Sequence, residues 1–162
     1  RELWGRYWTY AHNGQLKDYR QLPYSRFVPV GTTDSEQAFC YILSELATKY
    51  PDGPRSRPAM FKFIKKLCDG LRQQGVFNLL LSDGDYLFCY CSTRLHYITR
   101  RAPFGQARLS DVDVDIDFAK ETTPNDVVTV IATLPLTNNE TWQAMGIGEA
   151  RLFKAGQCIS QF

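Results

Sequence analysis

Ala11-His12-Asn13-Gly14-Gln15-Leu16 is the stretch of this chain best equipped for chemistry, together with Thr33-Asp34-Ser35-Glu36, whose Asp34 lies 21 positions after Asn13. Asn supplies a neutral side-chain N–H donor, and Gly supplies a backbone N–H that no Cβ shields. The pair can therefore stabilise one developing oxyanion. Asp34 can receive a cationic group through a charge-assisted hydrogen bond. Each piece also has a purely structural reading. Asn-Gly is the favoured two-residue hairpin turn, and an Asp at the start of a helix complements its positive end.

Other clusters read as structure. Asp111, Asp113, Asp115 and Asp117 resemble the start of a calcium loop, but Ile116 and Thr122 stand where such a loop needs Gly and Glu. Val112, Val114, Ile116 and Phe118 alternate with them, which describes a strand with one wet and one buried face. Cys89 and Cys91 share a strand face, yet His12 and His96 are the sole histidines, so a zinc site lacks ligands and no metal is expected. A Cys/His dyad through His12 finds nothing in the spacing that selects Cys40 over the other thiols, and His12 reads as structural. Arg55, Arg57, Lys62, Lys65 and Lys66 read as a solvated charged surface.

Composition narrows the function further. A chain of 162 residues suits one domain, and 44% hydrophobic with 22% charged residues is the balance of a packed globular protein. A formal net charge of +2 is too small for phosphate-backbone binding, so nucleic acid is not an expected partner. No window approaches the run of about 18 apolar residues that a membrane span requires. Cys40, Cys68, Cys89, Cys91 and Cys158 are odd in number and lack C-x-x-C spacing, which fits reduced thiols in a cytoplasm. Arg1 is neither an initiator Met nor the small residue usual after its removal, and an internal start is expected.

The elements that must position these residues follow from periodicity. Arg6-Tyr7-Trp8-Thr9-Tyr10-Ala11 is strand-like. Thr33-x-x-Glu36 has the form of a capping box, and Phe39, Ile42, Leu43, Leu46, Ala47 and Tyr50 behind it predict a helix over 34–50. Met60, Phe61, Ile64, Leu67, Cys68 and Leu71 mark a second helix that ends near Gly75. The segments 76–81 and 86–91 then flank the turn-forming Ser82-Asp83-Gly84-Asp85 as a hairpin, and further strands are expected over 95–100, 112–118, 127–133 and 150–154. Helices followed by antiparallel strands predict an α+β fold, and the apolar run 76–81 looks buried on both faces, which favours more than two layers.

Taken together, Tyr10-Ala11-His12-Asn13-Gly14-Gln15-Leu16 and Gly31-Thr32-Thr33-Asp34-Ser35-Glu36 resemble the paired motifs of class II glutamine amidotransferases, a branch of the N-terminal-nucleophile hydrolases. Gly75-Val76-Phe77-Asn78, Ser82-Asp83-Gly84, Thr122-Thr123-Pro124-Asn125-Asp126 and Gly148-Glu149 extend the likeness to the small stand-alone bacterial members. The resemblance implies a four-layer αββα sandwich of antiparallel sheets. It implies hydrolysis of the glutamine side-chain amide to glutamate and ammonia through a cysteinyl thioester, without a cofactor. Asn13 and Gly14 would form the oxyanion hole, and Asp34 would bind the α-ammonium of the substrate.

The family's nucleophile is a cysteine at the mature N-terminus, with its own α-amine as base, and an Arg in the same region binds the substrate carboxylate. Arg1 holds the first position here, so no nucleophile is assigned within residues 1–162. The chain is expected to be the C-terminal portion of one amidotransferase domain, incomplete at its N-terminus. It is expected to be inactive alone and to rely on the missing N-terminal segment for folding. Expected partners are glutamine or a related γ-glutamyl small molecule and, where ammonia is passed on, a separate acceptor protein. Two alternatives keep the same pocket: hydrolysis of another γ-glutamyl amide or thio-linked compound, and a non-catalytic glutamine-binding or regulatory module.

Overall fold

The computed structural model describes residues 1–111, 115–117 and 123–162, with the backbone alone for 115–117. Helix α1 (Asp34–Lys49) begins where Thr33 Oγ1 accepts the Glu36 N–H, and the acidic Asp34 and Glu36 occupy its first turn. The capping box forms only in part. Glu36 does not return to Thr33; its carboxylate accepts the N–H groups of Val30 and Gly31 and the guanidinium of Arg1. The preceding loop curls back over the helix start and presents those donors, so the acidic side chain caps the loop instead. Helix α2 (Arg57–Leu71) is capped by Ser56 Oγ and carries Pro in its first turn, and a short 3₁₀ turn over Arg72–Gln74 leads to Gly75.

The strands are β1 (Glu2–Leu3), β2 (Arg6–Tyr7), β3 (Thr9–Leu16), β4 (Gly75–Ser82), β5 (Leu87–Tyr90), β6 (His96–Arg101), β7 (Gln106–Arg108), β8 (Asp115–Asp117), β9 (Val127–Ala132), β10 (Gln143–Ala144), β11 (Ala150–Lys154) and β12 (Gln157–Gln161). They form a five-stranded antiparallel sheet in the order β12-β11-β5-β4-β3, a three-stranded sheet β10-β6-β9, and two short ribbons, β1-β2 and β7-β8. The architecture is α+β with antiparallel sheets, as the sequence implied. Of the strand expected over 112–118, residues 115–117 are extended and pair with β7, while 112–114 and 118 lie outside the described residues. Thr122 lies outside them too.

Helices and sheets bury their apolar faces on each other in a definite order. Ile42, Leu43 and Leu46 of α1 and Met60, Phe61 and Ile64 of α2 join Phe77, Leu79, Leu81 and Phe88 from one face of the five-stranded sheet. Leu80, Cys89, Cys91 and Phe153 on the other face meet Leu95, Tyr97 and Ile131 from the side of the three-stranded sheet. Each fully buried Leu, Ile or Phe contributes about 1.5–3 kcal/mol, so the cluster beneath α1 and α2 is what fixes β3 and β4 against the helices. β4 is accordingly buried on both faces, with Phe77, Asn78, Leu79 and Leu81 all inaccessible. β3 is the last strand of its sheet, and among the described residues no strand pairs with its outer edge.

The basic cluster is not uniformly solvated. Arg57 Nη1 donates at 2.8 Å to Asp83, whose side chain is 2% exposed, and the Arg57 guanidinium lies 4.8 Å from the centre of the Tyr86 ring. A buried carboxylate in the β4–β5 turn needs a cation, and Arg57 supplies it from the start of α2. Among the described residues no helix is long and apolar enough to cross a membrane.

Candidate functional site

Asn13-Gly14 is not a hairpin turn. The pair sits inside β3, which is in register with β4 along its whole length, with Asn13 opposite Asn78 and Gly14 opposite Phe77. Gly14 has φ +151°, and a Cβ added there would lie 1.9 Å from the carbonyl oxygen of Val76. Glycine is required because the two backbones approach too closely for any side chain.

The direction of the backbone groups follows from their partners. The Lys17 N–H donates to Gln74 O, on the β4 side, whereas the Leu16 N–H turns the other way and donates to Asp34 Oδ2 at 2.8 Å. Alternation along an antiparallel strand places the Gly14 N–H on the same outward side as that of Leu16. The outward-facing Gly14 N–H and the Asp34 carboxylate thus share the open edge of β3, two residues apart along the strand.

Asp34 is half-buried at the first position of α1. Its Oδ1 accepts the Ser35 N–H at 2.9 Å and its Oδ2 accepts the Leu16 N–H. A carboxylate offers about four acceptor sites, so two remain for a cationic ligand group. The structural and functional readings of Asp34 are compatible.

Tyr10 and His12 project to the opposite face from Asn13, toward α1. Tyr10 stacks on Phe39 with ring centres 4.9 Å apart, and burial pushes its hydroxyl pKa well up. His12 Nε2 donates to Val76 O and Nδ1 pairs with Ser35 Oγ, each at 3.0 Å, and its ring packs on Phe77. These contacts make His12 a tie between β3, β4 and α1.

On the inner face, Asn13 borders a cavity of about 180 Å³ between the two sheets, lined also by Ala11, Asn78, Leu80, Leu95 and Ile131. Asn78 is a residue whose role the sequence pattern did not disclose. It is 3% exposed, and its Oδ1 accepts the N–H groups of Ser92 and Thr93 at 3.0 and 3.1 Å. Its Nδ2 donates to Thr93 Oγ1 at 2.9 Å and reaches Asn13 Oδ1 at 3.4 Å. The signal was a lone Asn inside the apolar run Val76-Phe77-Asn78-Leu79-Leu80-Leu81.

No cysteine of the chain reaches this edge. Cys40, Cys68, Cys89 and Cys91 are buried, and burial pushes the thiol pKa of each upward. Cys158 is exposed but lies on β12, at the opposite edge of the five-stranded sheet. Four strand spacings separate β12 from β3, about 19 Å at 4.7–4.9 Å per strand.

The model of the class II glutamine amidotransferases matches residues 1–162. The chain belongs to this family. It is 64% identical over 159 residues to the Escherichia coli (strain K12) protein named "Putative glutamine amidotransferase YafJ", covering 98% of this chain and 62% of that one. A Haemophilus influenzae protein named "Putative glutamine amidotransferase" is 43% identical over 161 residues, covering 99% of this chain and 54% of its relative. A 2.0 Å crystal structure of a "predicted glutamine amidotransferase" from Pseudomonas aeruginosa PA01 superimposes with a TM-score of 0.87 at 52% identity, covering 99% of this chain and 62% of that one. The chain therefore spans somewhat over half the length of the amidotransferase relatives it matches.

Proposed function

We propose that this amidotransferase chain supplies the oxyanion-stabilising and substrate-binding half of a site that hydrolyses a γ-glutamyl amide, glutamine being the simplest, to glutamate and ammonia. The observation that carries the proposal is the shared open edge of β3, where the Gly14 N–H faces outward and Leu16 holds Asp34 in place. Two residues of strand span about 7 Å. An extended glutamine places its α-nitrogen roughly 5 Å from its side-chain carbonyl carbon, by ordinary bond lengths. A ligand with its ammonium on Asp34 can thus bring its amide oxygen to Gly14 and Asn13.

In this reading a cysteine thiolate of the intact protein, outside these residues, attacks the amide carbon, and the electron pair of the carbonyl moves to oxygen. The Asn13 Nδ2 and Gly14 N–H groups stabilise that oxyanion. Collapse expels ammonia, which takes its proton from the nucleophile's α-ammonium, formed when the α-amine accepted the thiol proton, and leaves a thioester. Water then attacks the thioester carbon, releasing glutamate and restoring the thiol. No step needs a metal or organic cofactor. The burial or distance of all five cysteines supports placing the nucleophile elsewhere in the parent; in this reading residues 1–162 alone are inactive.

The same proposal includes the complete fold. A helical layer, a five-stranded sheet and a second antiparallel sheet fit three layers of an αββα N-terminal-nucleophile sandwich. The β3 edge ahead of Asn13, over Thr9–His12, suits pairing with a strand from the remainder of the protein, which leaves the Gly14 N–H to the ligand. Five free thiols, four of them buried, fit a reducing cytoplasm.

The test is glutamine hydrolysis by the full-length protein and its Asn13→Ala variant. Loss of one oxyanion donor lowers kcat by about 10²–10³, with KM little changed. A variant with unaltered kcat would exclude Asn13 from the oxyanion hole.

A further inference from the structure

We infer that Asn78 is a positioning residue, which sets the rotation of the Asn13 carboxamide so that its N–H₂ end faces the reacting oxyanion. The inference rests on the oxyanion role proposed for Asn13 and deepens it.

A side-chain amide has two ends of similar shape and opposite hydrogen-bonding character. Asn13 is exposed on an edge strand, and its oxyanion role requires the N–H₂ end to face the ligand. If the group rotated by half a turn it would present a carbonyl oxygen to a developing negative charge, and the stabilisation would become repulsion. Something must decide the rotation, and the adjacent strand provides it.

Asn78 is opposite Asn13 in the β3–β4 register and is itself fixed without reference to Asn13. Two backbone N–H groups, of Ser92 and Thr93, converge on one end of its amide at 3.0 and 3.1 Å. An N–H₂ group cannot accept them, so this end is the oxygen. The other end is then Nδ2. One of its hydrogens goes to Thr93 Oγ1 at 2.9 Å, and the second points toward Asn13, 3.4 Å away. A donor facing Asn13 calls for an acceptor, which draws Asn13 Oδ1 toward β4 and turns Asn13 Nδ2 outward. The bond is long, as catalytic contacts often are before a ligand tightens them. At 3% exposure Asn78 is shielded from water that could satisfy either orientation. The polarity of the site is thus set by the Ser92–Thr93 loop, acting through Asn78.

Asn78→Asp separates this role from a structural one. Aspartate keeps an oxygen for the Ser92 and Thr93 N–H groups, so the loop stays capped, but it turns an acceptor toward Asn13. The Asn13 amide should then rotate and donate to the new carboxylate, directing its own oxygen at the ligand. In glutamine hydrolysis by the full-length protein, Asn78→Asp is expected to lower kcat about a hundredfold, close to Asn13→Ala, with KM within about threefold of wild type. The Asn13→Ala/Asn78→Asp double variant should be no slower than Asn13→Ala, because the second change acts only through the first. A kcat near wild type in Asn78→Asp overturns the inference, as does a double variant whose losses multiply, which would mean that the new charge acts on the ligand directly. Unaltered kcat in Asn13→Ala instead removes the oxyanion reading itself, and the two failures are therefore distinct. Should Asn78→Asp not fold, Asn78→Ser retains an acceptor for the loop but is too short to reach Asn13. About tenfold lower kcat with unchanged KM then supports the inference, and wild-type kcat overturns it.

Discussion

The backbone N–H of Leu16 donates to Asp34 Oδ2 at 2.8 Å, so one carboxylate clamps the end of β3 to the start of α1 while facing the proposed substrate site. Asp34→Asn separates the two duties. The amide oxygen still accepts from Leu16, but the negative charge that would hold a ligand ammonium is gone. KM for glutamine in the full-length protein should rise by at least tenfold, since hydrogen bonds to charged groups contribute about 1.5–3 kcal/mol, and thermal stability should fall less than in Asp34→Ala, because the Ser35 N–H alone loses its acceptor. Asp34→Ala should raise KM similarly and also lower the melting temperature, because the Leu16 N–H loses its partner. Equal KM in wild type and Asp34→Asn would remove Asp34 from substrate binding.

Gly14→Ala is expected to be a folding lesion before it is a catalytic one. The new Cβ would meet Val76 O at 1.9 Å, and that atom belongs to backbone that cannot rotate away. Gly75 mirrors the arrangement, since a Cβ there would lie 2.0 Å from Gln15 O. The two strands are thus pressed together at the site end of the sheet, and a methyl group must drive them apart. A loss of about 2–4 kcal/mol is expected, read as a lower urea midpoint of the full-length protein. A wild-type midpoint would show that β3 is free to move away from β4 at no cost.

Much of this was legible in the sequence where local rules and tertiary structure agree. Both helices announced themselves, because Ile42, Leu43 and Leu46 or Met60, Phe61 and Ile64 recur at the helical period; the Thr33 cap was legible too, whereas Ser56, which caps α2, went unread. β3 was legible only to Ala11. Asn13-Gly14 carries a turn signal, and pairing with β4 overrides it and carries the strand on to Leu16. β12 went unread because Gln157-Cys158-Ile159-Ser160-Gln161 is mostly exposed and has no buried face to give it alternation. Arg57 looked like one more solvated cation, since its tie to Asp83 spans 26 residues and no local pattern records it. Asn78 was visible as an oddity in an apolar run, but only the register with Asn13 gives it a use.

Acid should unfold the protein partly through Glu140. Its carboxylate accepts Arg100 Nε at 2.7 Å and Thr137 Oγ1 at 2.7 Å, tying the loop before β10 to β6, and the two side chains are 19% and 14% exposed for Glu140 and Arg100. The hydrogen bond from Arg100 foremost, and that from Thr137 after it, hold the Glu140 carboxyl below the usual carboxylate range. In the unfolded chain the group titrates near about 4.3. A depressed folded value means that the stabilisation is complete above that pH and is lost as pH falls through the folded value. Glu140→Gln should therefore cost about 1–3 kcal/mol at pH 7, measured by urea unfolding of the full-length protein. The gap between variant and wild type should narrow as pH is lowered below about 4.3, because protonation removes from the wild type what the substitution removed from the variant. A gap of constant size across that range would mean that Glu140 acts through packing and not through its charge.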